Sequence, residues 1–183
     1  MKTSKSLVSP MTLAVLAAGY FATPIAIKAA DGADSAPVNQ LLSDTKMEAV
    51  HLKNDSEGMQ TFIGTTASWG SYSPTLEAIK GHIDNAGKLL ATLKTSEVTG
   101  SAWQQTAVKR IEPLLKELAD NTTETIKRLS ANSSKVHDST FQDYVRANYQ
   151  LSIGLQALIL DFVDYGSAKS KFDSLASKVQ AGN

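Results

Sequence analysis

In the run EAVH, Glu48 and His51 stand three residues apart, the spacing that sets a carboxylate and an imidazole on one side of a helix. Di-metal helical bundles use such a Glu-x-x-His pair on two helices and add a glutamate from each of the other two. One copy is present here, and neither His82 nor His137 has an acid three residues before it. Glu48 and His51 therefore make a weak metal candidate, flanking an apolar stripe instead of lying in it, and no resident cofactor is expected. A haem held between helices needs axial side chains such as methionine and histidine facing each other. Met47 and Met59 fall on the first helix, but no histidine lies on the core side of the last long one.

Two other carboxylates, Asp161 and Asp164, interrupt one of the most apolar runs, LSIGLQALILDFVDYG. In a heptad that gives Phe141 and Phe162 the first core position, both aspartates fall beside the core with Gly154, Ala157 and Ala168. The expected role is structural. If the third and fourth helices turn back near Lys135, Arg110 or Lys109 comes level with Asp161, and a cation there offsets an acid placed against the helix dipole. The alternative is a metal-binding or catalytic carboxylate pair.

A third constellation is polar and internal. Asn148 takes a core heptad position, and antiparallel counting brings Ser56 and Thr122 to its level, with His82 near the edge. Such a layer fixes register, because a buried asparagine penalises slipped packings; its functional alternative is a small pocket for a ligand. Other chemistries lack their residues. The chain has no cysteine, which excludes disulfides, thiolate metal sites, cysteine-linked haem and a cysteine nucleophile. There is no Gly-x-Ser-x-Gly, no His-Glu-x-x-His and no phosphate-cradling glycine loop. Catalysis is not expected.

The elements that would position these residues read as helices, with no convincing strand. Val38, Leu42, Thr45, Ala49, Leu52, Ser56, Met59 and Ile63 recur at steps of four and three, one face of a long first helix. Ser73 and Pro74 supply a cap and a first helical position for a second, with Leu76, Ile79, Ile83, Ala86, Leu90 and Leu93 as its stripe. A third runs from about Ala102 to Asn132 through Trp103, Ala107, Ile111, Leu114, Leu118, Thr122, Thr125 and Leu129, with a kink or break expected at Pro113. The fourth, from about Ser139 to Tyr165, carries Phe141, Tyr144, Asn148, Leu151, Leu155, Leu158, Phe162 and Tyr165 at coiled-coil spacing. Phe172, Leu175 and Val179 then mark a short last segment, opposite lysines, that either continues the fourth helix or folds back after Gly166. Short polar links between long helices predict an all-α protein, an antiparallel up-down four-helix bundle with a short additional C-terminal helix.

Ile153, Leu160 and Val163 lie off the main stripe, so the end of the fourth helix is apolar nearly all round. The last segment, the loop bearing Trp69 and Tyr72, or another molecule must cover it, which makes these three residues the expected interaction surface.

Ahead of the bundle, Lys2 and Lys5, an apolar stretch from Leu7 to Ile27 and small residues near Ala29 have the layout of a secretory signal peptide. The expected organisation is a leader over 1–29, a flexible segment over 30–37 and one helical domain over 38–183, with an uncleaved amino-terminal anchor as the alternative. Cleavage would remove Lys2, Lys5 and Lys28 and no acid, turning a balance of 18 basic and 18 acidic residues into an excess of three acids. That charge does not suggest nucleic acid, and no later stretch is apolar enough to span a membrane once the leader is gone. Asn54, Asn121 and Asn132 fit the glycosylation pattern, which a bacterial style of leader discounts.

The run WQQTAVKRIEPLLKELADNTTETIKRL, with DFVDYG further on, resembles uncharacterised exported helical-bundle proteins of environmental bacteria over most of the mature chain. The resemblance adds weight to a bacterial, exported protein and carries no activity with it. The expected function is that of a non-catalytic periplasmic or extracellular bundle that meets an envelope protein or a second copy of itself; the alternative is a sensor or carrier holding a small ligand, metal or haem between its helices.

Overall fold

The structure, a computed structural model, describes residues 34–95 and 100–181. Four helices follow one another: α1 (Ala36–Gln60), α2 (Trp69–Thr95), α3 (Ala102–Ala131) and α4 (Ser139–Ala181), with a 3-10 turn over Ser133–His137 before the last. α1 packs on α2 and α4, and α3 packs on the same two, which closes an antiparallel up-down bundle around one core. The expected all-α four-helix fold is the fold observed. The leader over 1–29 and residues 30–33 of the expected lead-in lie outside the described residues.

α1 begins at Ala36, two residues ahead of Val38, because Ser35 caps it: its Oγ accepts from the Val38 amide at 3.4 Å, and Pro37 needs no donor in the first turn. Its buried face is Val38, Leu42, Thr45, Ala49, Leu52, Ser56 and Met59. Ile63 lies past the helix end and is only partly buried.

α2 starts at Trp69, earlier than the Ser73–Pro74 signal suggested, so Pro74 sits inside it. Tyr72 is the reason. Its ring is buried and meets Phe62 and Phe141 edge-on, at 5.3 and 4.9 Å between centroids, and helical backbone from Trp69 carries it there. Pro74 is the sixth residue of α2 and has no amide to give the Gly70 carbonyl, so the cost is one hydrogen bond in the helix's first two turns. Tyr72 thus closes the end where α4 begins, so of the three alternative covers for the other end of α4 its loop is not the one.

α3 runs unbroken through Pro113, and Leu115, not Leu114, takes the buried position. Asp138 then caps α4: its Oδ1 accepts from the Phe141 amide at 2.7 Å, while Arg128 Nη2 holds the other oxygen at 2.6 Å. The buried face of α4 is Phe141, Val145, Asn148, Ser152, Leu155, Ile159, Phe162 and Gly166. Four members of the expected stripe, Tyr144, Leu151, Leu158 and Tyr165, are displaced by the residue that follows each.

No separate C-terminal helix exists among the described residues. α4 passes through Gly166 in one piece to Ala181. Among the described glycines only Gly64 has the positive φ that ends helices in a left-handed cap, so nothing stops the helix at Gly166. The amino end of α1 lies beside Lys169, where Asp34 Oδ2 meets Nζ at 3.2 Å. The twelve residues after Lys169 add about 18 Å of helix beyond that point.

Candidate functional site

Where α4 leaves the bundle, four segments meet. The Trp103 indole lies over Gly166, so close that a Cβ there would come within 2.7 Å of Cη2. Its Nε1 donates to Asp34 Oδ1 at 2.7 Å, and its ring meets Tyr165 edge-on at 5.3 Å. Buried Gln104 ties the approach to α1 to the start of α3. Its Oε1 accepts from the Ser35 amide at 3.1 Å and the Ser101 amide at 2.9 Å, and its Nε2 donates to the Ser35 carbonyl at 2.9 Å and Asn39 Oδ1 at 2.8 Å. Residues 34 and 35, expected in a flexible lead-in, are thereby part of the bundle. Beside Trp103 a groove of about 290 Å³ opens between α1 and α4, with Asn39, Ser43, Ser167 and Ser170 as its polar lining.

Above this junction α4 carries its own apolar face into solvent. Phe172, Leu175 and Val179 are 70 %, 52 % and 69 % exposed, and Tyr165 lies at their foot. Of the expected interaction residues, Leu160 is 37 % exposed, whereas Ile153 is half-buried and Val163 is half-buried in the groove wall. The larger exposed surface therefore lies about two and a half to four and a half turns beyond the region expected from sequence.

Burial raises the Asp34 carboxyl, but hydrogen bonds from Ser101, Trp103 and Lys169, with the Lys169 charge, outweigh it and hold its pKa below the ordinary 3.8. Asp138 is lowered in the same way, burial being overcome by Arg128 and the Phe141 amide. A carboxyl lowered on folding stabilises fully above its unfolded value, and that contribution is lost as pH falls through the lower folded one. The bundle should therefore lose stability on acidification below about pH 4. Asp34→Asn should cost about 1–2 kcal/mol at neutral pH and flatten that acid limb, read as Tm against pH beside the unaltered chain; parallel curves would show that Asp34 is not held as described.

The expected ion pair between Asp161 and Arg110 does not form. Arg110 turns its guanidinium over the Phe162 ring, 5.7 Å from the centroid, and Asp161 has no ion-pair partner among the described residues. The aromatic face beside Arg110 offers a cation site along the same flank, and Asp161 remains in water.

The polar layer does form between α3 and α4. Asn148 is fully buried, and its Oδ1 accepts from Asn121 Nδ2 at 2.8 Å and Thr122 Oγ1 at 3.2 Å; Ser152 Oγ donates to the Asn148 carbonyl at 2.6 Å. Asn121 and Ser152 are members that sequence reasoning missed. Continuing the α1–α4 pairing from Asp34 with Lys169 and Asn39 with Gly166 sets Ser56 level with Asn148. Ser56 Oγ and Asn148 Nδ2 are buried without a partner among the described residues. An unsatisfied buried hydroxyl costs stability, so Ser56→Ala should raise the unfolding free energy by about 1 kcal/mol in urea titration. A fall of that size would instead mean that the hydroxyl shares a bound molecule with Asn148.

His82 belongs to a different place. On the outer α1–α2 seam its Nδ1 donates to Glu48 Oε2 at 2.6 Å, its Nε2 lies 3.5 Å from Asp55 Oδ2, and its ring stacks on His51 at 5.0 Å. The weak metal candidate thus gains two neighbours, yet among the described residues no three of these side chains are disposed to hold a metal ion. Parallel stacked imidazoles direct their lone pairs side by side, not to one point.

Set against known proteins, the chain matches no family model, no curated protein and no solved structure.

Proposed function

We propose that the chain is an exported, non-catalytic bundle whose fourth helix serves as a docking arm. The observation that carries this reading is the exposed face of Phe172, Leu175 and Val179 on a helix that outruns its bundle. Monomeric proteins seldom display a contiguous apolar stripe that serves nothing. The base of the arm is built to orient it: Trp103 over Gly166 and Asp34 on Lys169 hold α4 from two sides. The leader-like residues 1–29 and the absence of catalytic motifs in the sequence support the exported and non-catalytic parts of the reading.

A chain ending after Ser170 keeps Lys169 and the groove and removes the arm. It should lose only the helix of the deleted residues 171–181 and melt within about 3 °C of the full chain, because the deleted side chains are exposed. Expressed with its leader, the full chain should fractionate with the envelope and the shortened one should not. Equal fractionation of both would sink the reading.

The groove beside Trp103 favours a second reading, a carrier of a small polar ligand. Native mass spectrometry of the mature chain separates the two. Bound mass lost on Ser43→Leu would point to the carrier, and a bare chain to the arm.

A further inference from the structure

We infer that the arm lies on an anionic lipid surface. The inference rests on the docking reading above and names its occupant. At 100° per residue, Tyr165, Ala168, Phe172, Leu175 and Val179 fall on one side of α4, turned about a third of the circumference away from the face that Phe162 and Gly166 bury. The positions that continue the core face beyond Gly166 are Lys169, Asp173, Ala176 and Gln180, so the arm does not prolong the bundle seam. It presents a new surface.

Beyond Gly166 the borders of that surface are basic, while Asp161 and Asp164 lie on the same side lower down, where α4 is still part of the bundle. Lys171 and Lys178 line one edge and Lys169 the other, while Asp173 stands behind Lys169 and pairs with it at 2.7 Å. Lys171 and Lys178 have no ion-pair partner among the described residues. The far side carries Ser167, Ser170, Ser174 and Ser177, polar and uncharged. Bulky apolar side chains bordered by lysines, with a polar back, make up the helix that settles at the boundary between headgroups and acyl chains, where lysine stems reach outward to anionic phosphates. No helix among the described residues is long and apolar enough to cross a membrane, so the arm rests on the surface.

Two other occupants fit less well. The stripe spans only two heptads, short of what sustains a coiled coil with a second copy, and an antiparallel pair would set Lys171 against Lys178. If the leader is cleaved, the residues left ahead of Asp34 are Ala30, Asp31, Gly32 and Ala33, which bring no large apolar side chain to cover the face.

The test is co-sedimentation of the mature chain with vesicles of neutral phosphatidylcholine and with vesicles in which a third of the lipid is phosphatidylglycerol. The full chain should bind the anionic vesicles, less tightly in high salt, and hardly bind the neutral ones. Phe172→Ser with Leu175→Ser should lower binding at least tenfold, and Lys171→Gln with Lys178→Gln about 25-fold, at roughly fivefold per lysine. These residues are exposed, and circular dichroism confirms that the variants remain folded. Equal binding to both vesicles, or binding indifferent to the four substitutions, would overturn the inference. So would absence of binding, and the envelope fractionation then tells which reading failed. A chain held in the envelope by its arm but not by vesicles docks on a protein; a chain held by neither has no docking arm.

Discussion

Replacing Trp103 with alanine should lower the unfolding free energy by about 3–5 kcal/mol, the range for removing a large aromatic from a core. The figure is a large fraction of the 5–15 kcal/mol typical of a domain. The indole fills the space above Gly166, so its loss opens a cavity that the α4 backbone cannot collapse into without bending. It also takes the donor from Asp34, leaving that carboxylate to Lys169 and Ser101. Trp103→Phe separates the two effects, since it keeps most of the ring and loses the Nε1 bond. Urea titration followed by circular dichroism reads the stability of all three chains, and Trp69 remains as a fluorescent reporter in each variant. A cost under about 1 kcal/mol for Trp103→Ala would mean that this end of the bundle is already open. The same substitution should weaken envelope retention, because an arm with a loose base is no longer pre-oriented.

At the opposite end, Tyr72→Ala should cost a similar 3–5 kcal/mol. Tyr72 is the middle ring of three, meeting Phe62 and Phe141 edge to face, so its removal strips a partner from both. Burial alone raises the pKa of its hydroxyl. Packing is thus the main contribution, and Tyr72→Phe should lie within about 0.5 kcal/mol of the unaltered chain. A large loss for Tyr72→Phe would reveal a hydrogen bond that the ring geometry does not account for. This substitution should leave envelope retention untouched in whatever fraction stays folded, since the arm projects from the other end.

The bundle was legible because apolar residues on α1 recur at helical spacing and the links are short. Registers within it were less legible. On α4 the first core positions, Phe141, Asn148, Leu155 and Phe162, follow from periodicity, but the second set falls one residue later than apolarity suggests. Tyr144, Leu151, Leu158 and Tyr165 are larger than most of the residues that displace them, and size was the only guide to choosing between adjacent positions. Gly166 takes the seam because Trp103 comes close, and no one-dimensional pattern reports that approach. Arg110 shows the same limit. Its level along α4 was predicted correctly, but whether it would turn to Asp161 or to the Phe162 ring depended on its rotation about α3.

The candidate site divides in the same manner. The amphipathic pattern of Phe172, Leu175 and Val179 was plain in the sequence, whereas its lack of cover was not, because an exposed stripe and a buried one have the same spelling. Gln104 gave one faint signal: it sits three residues after Ser101, where a capping side chain reaches back to the start of its helix. That it also grips Ser35 and Asn39 is a long-range fact.

The junction at Asp34 has a consequence for the order of events as the chain is made. Its partners, Trp103 and Lys169, arrive long after it, whether the polypeptide emerges from a ribosome or from a translocation channel. The start of α1 can be tied by Trp103 and Gln104 as soon as α3 begins, but its contact with Lys169 must wait for most of α4, and contacts of such large sequence separation close late. Tyr72 and Phe141, by contrast, can meet while the last third of α4 is still missing. Every residue of the junction that aims the arm precedes Phe172 in the chain, so the apolar face is delivered only after the contacts that give it a direction can form.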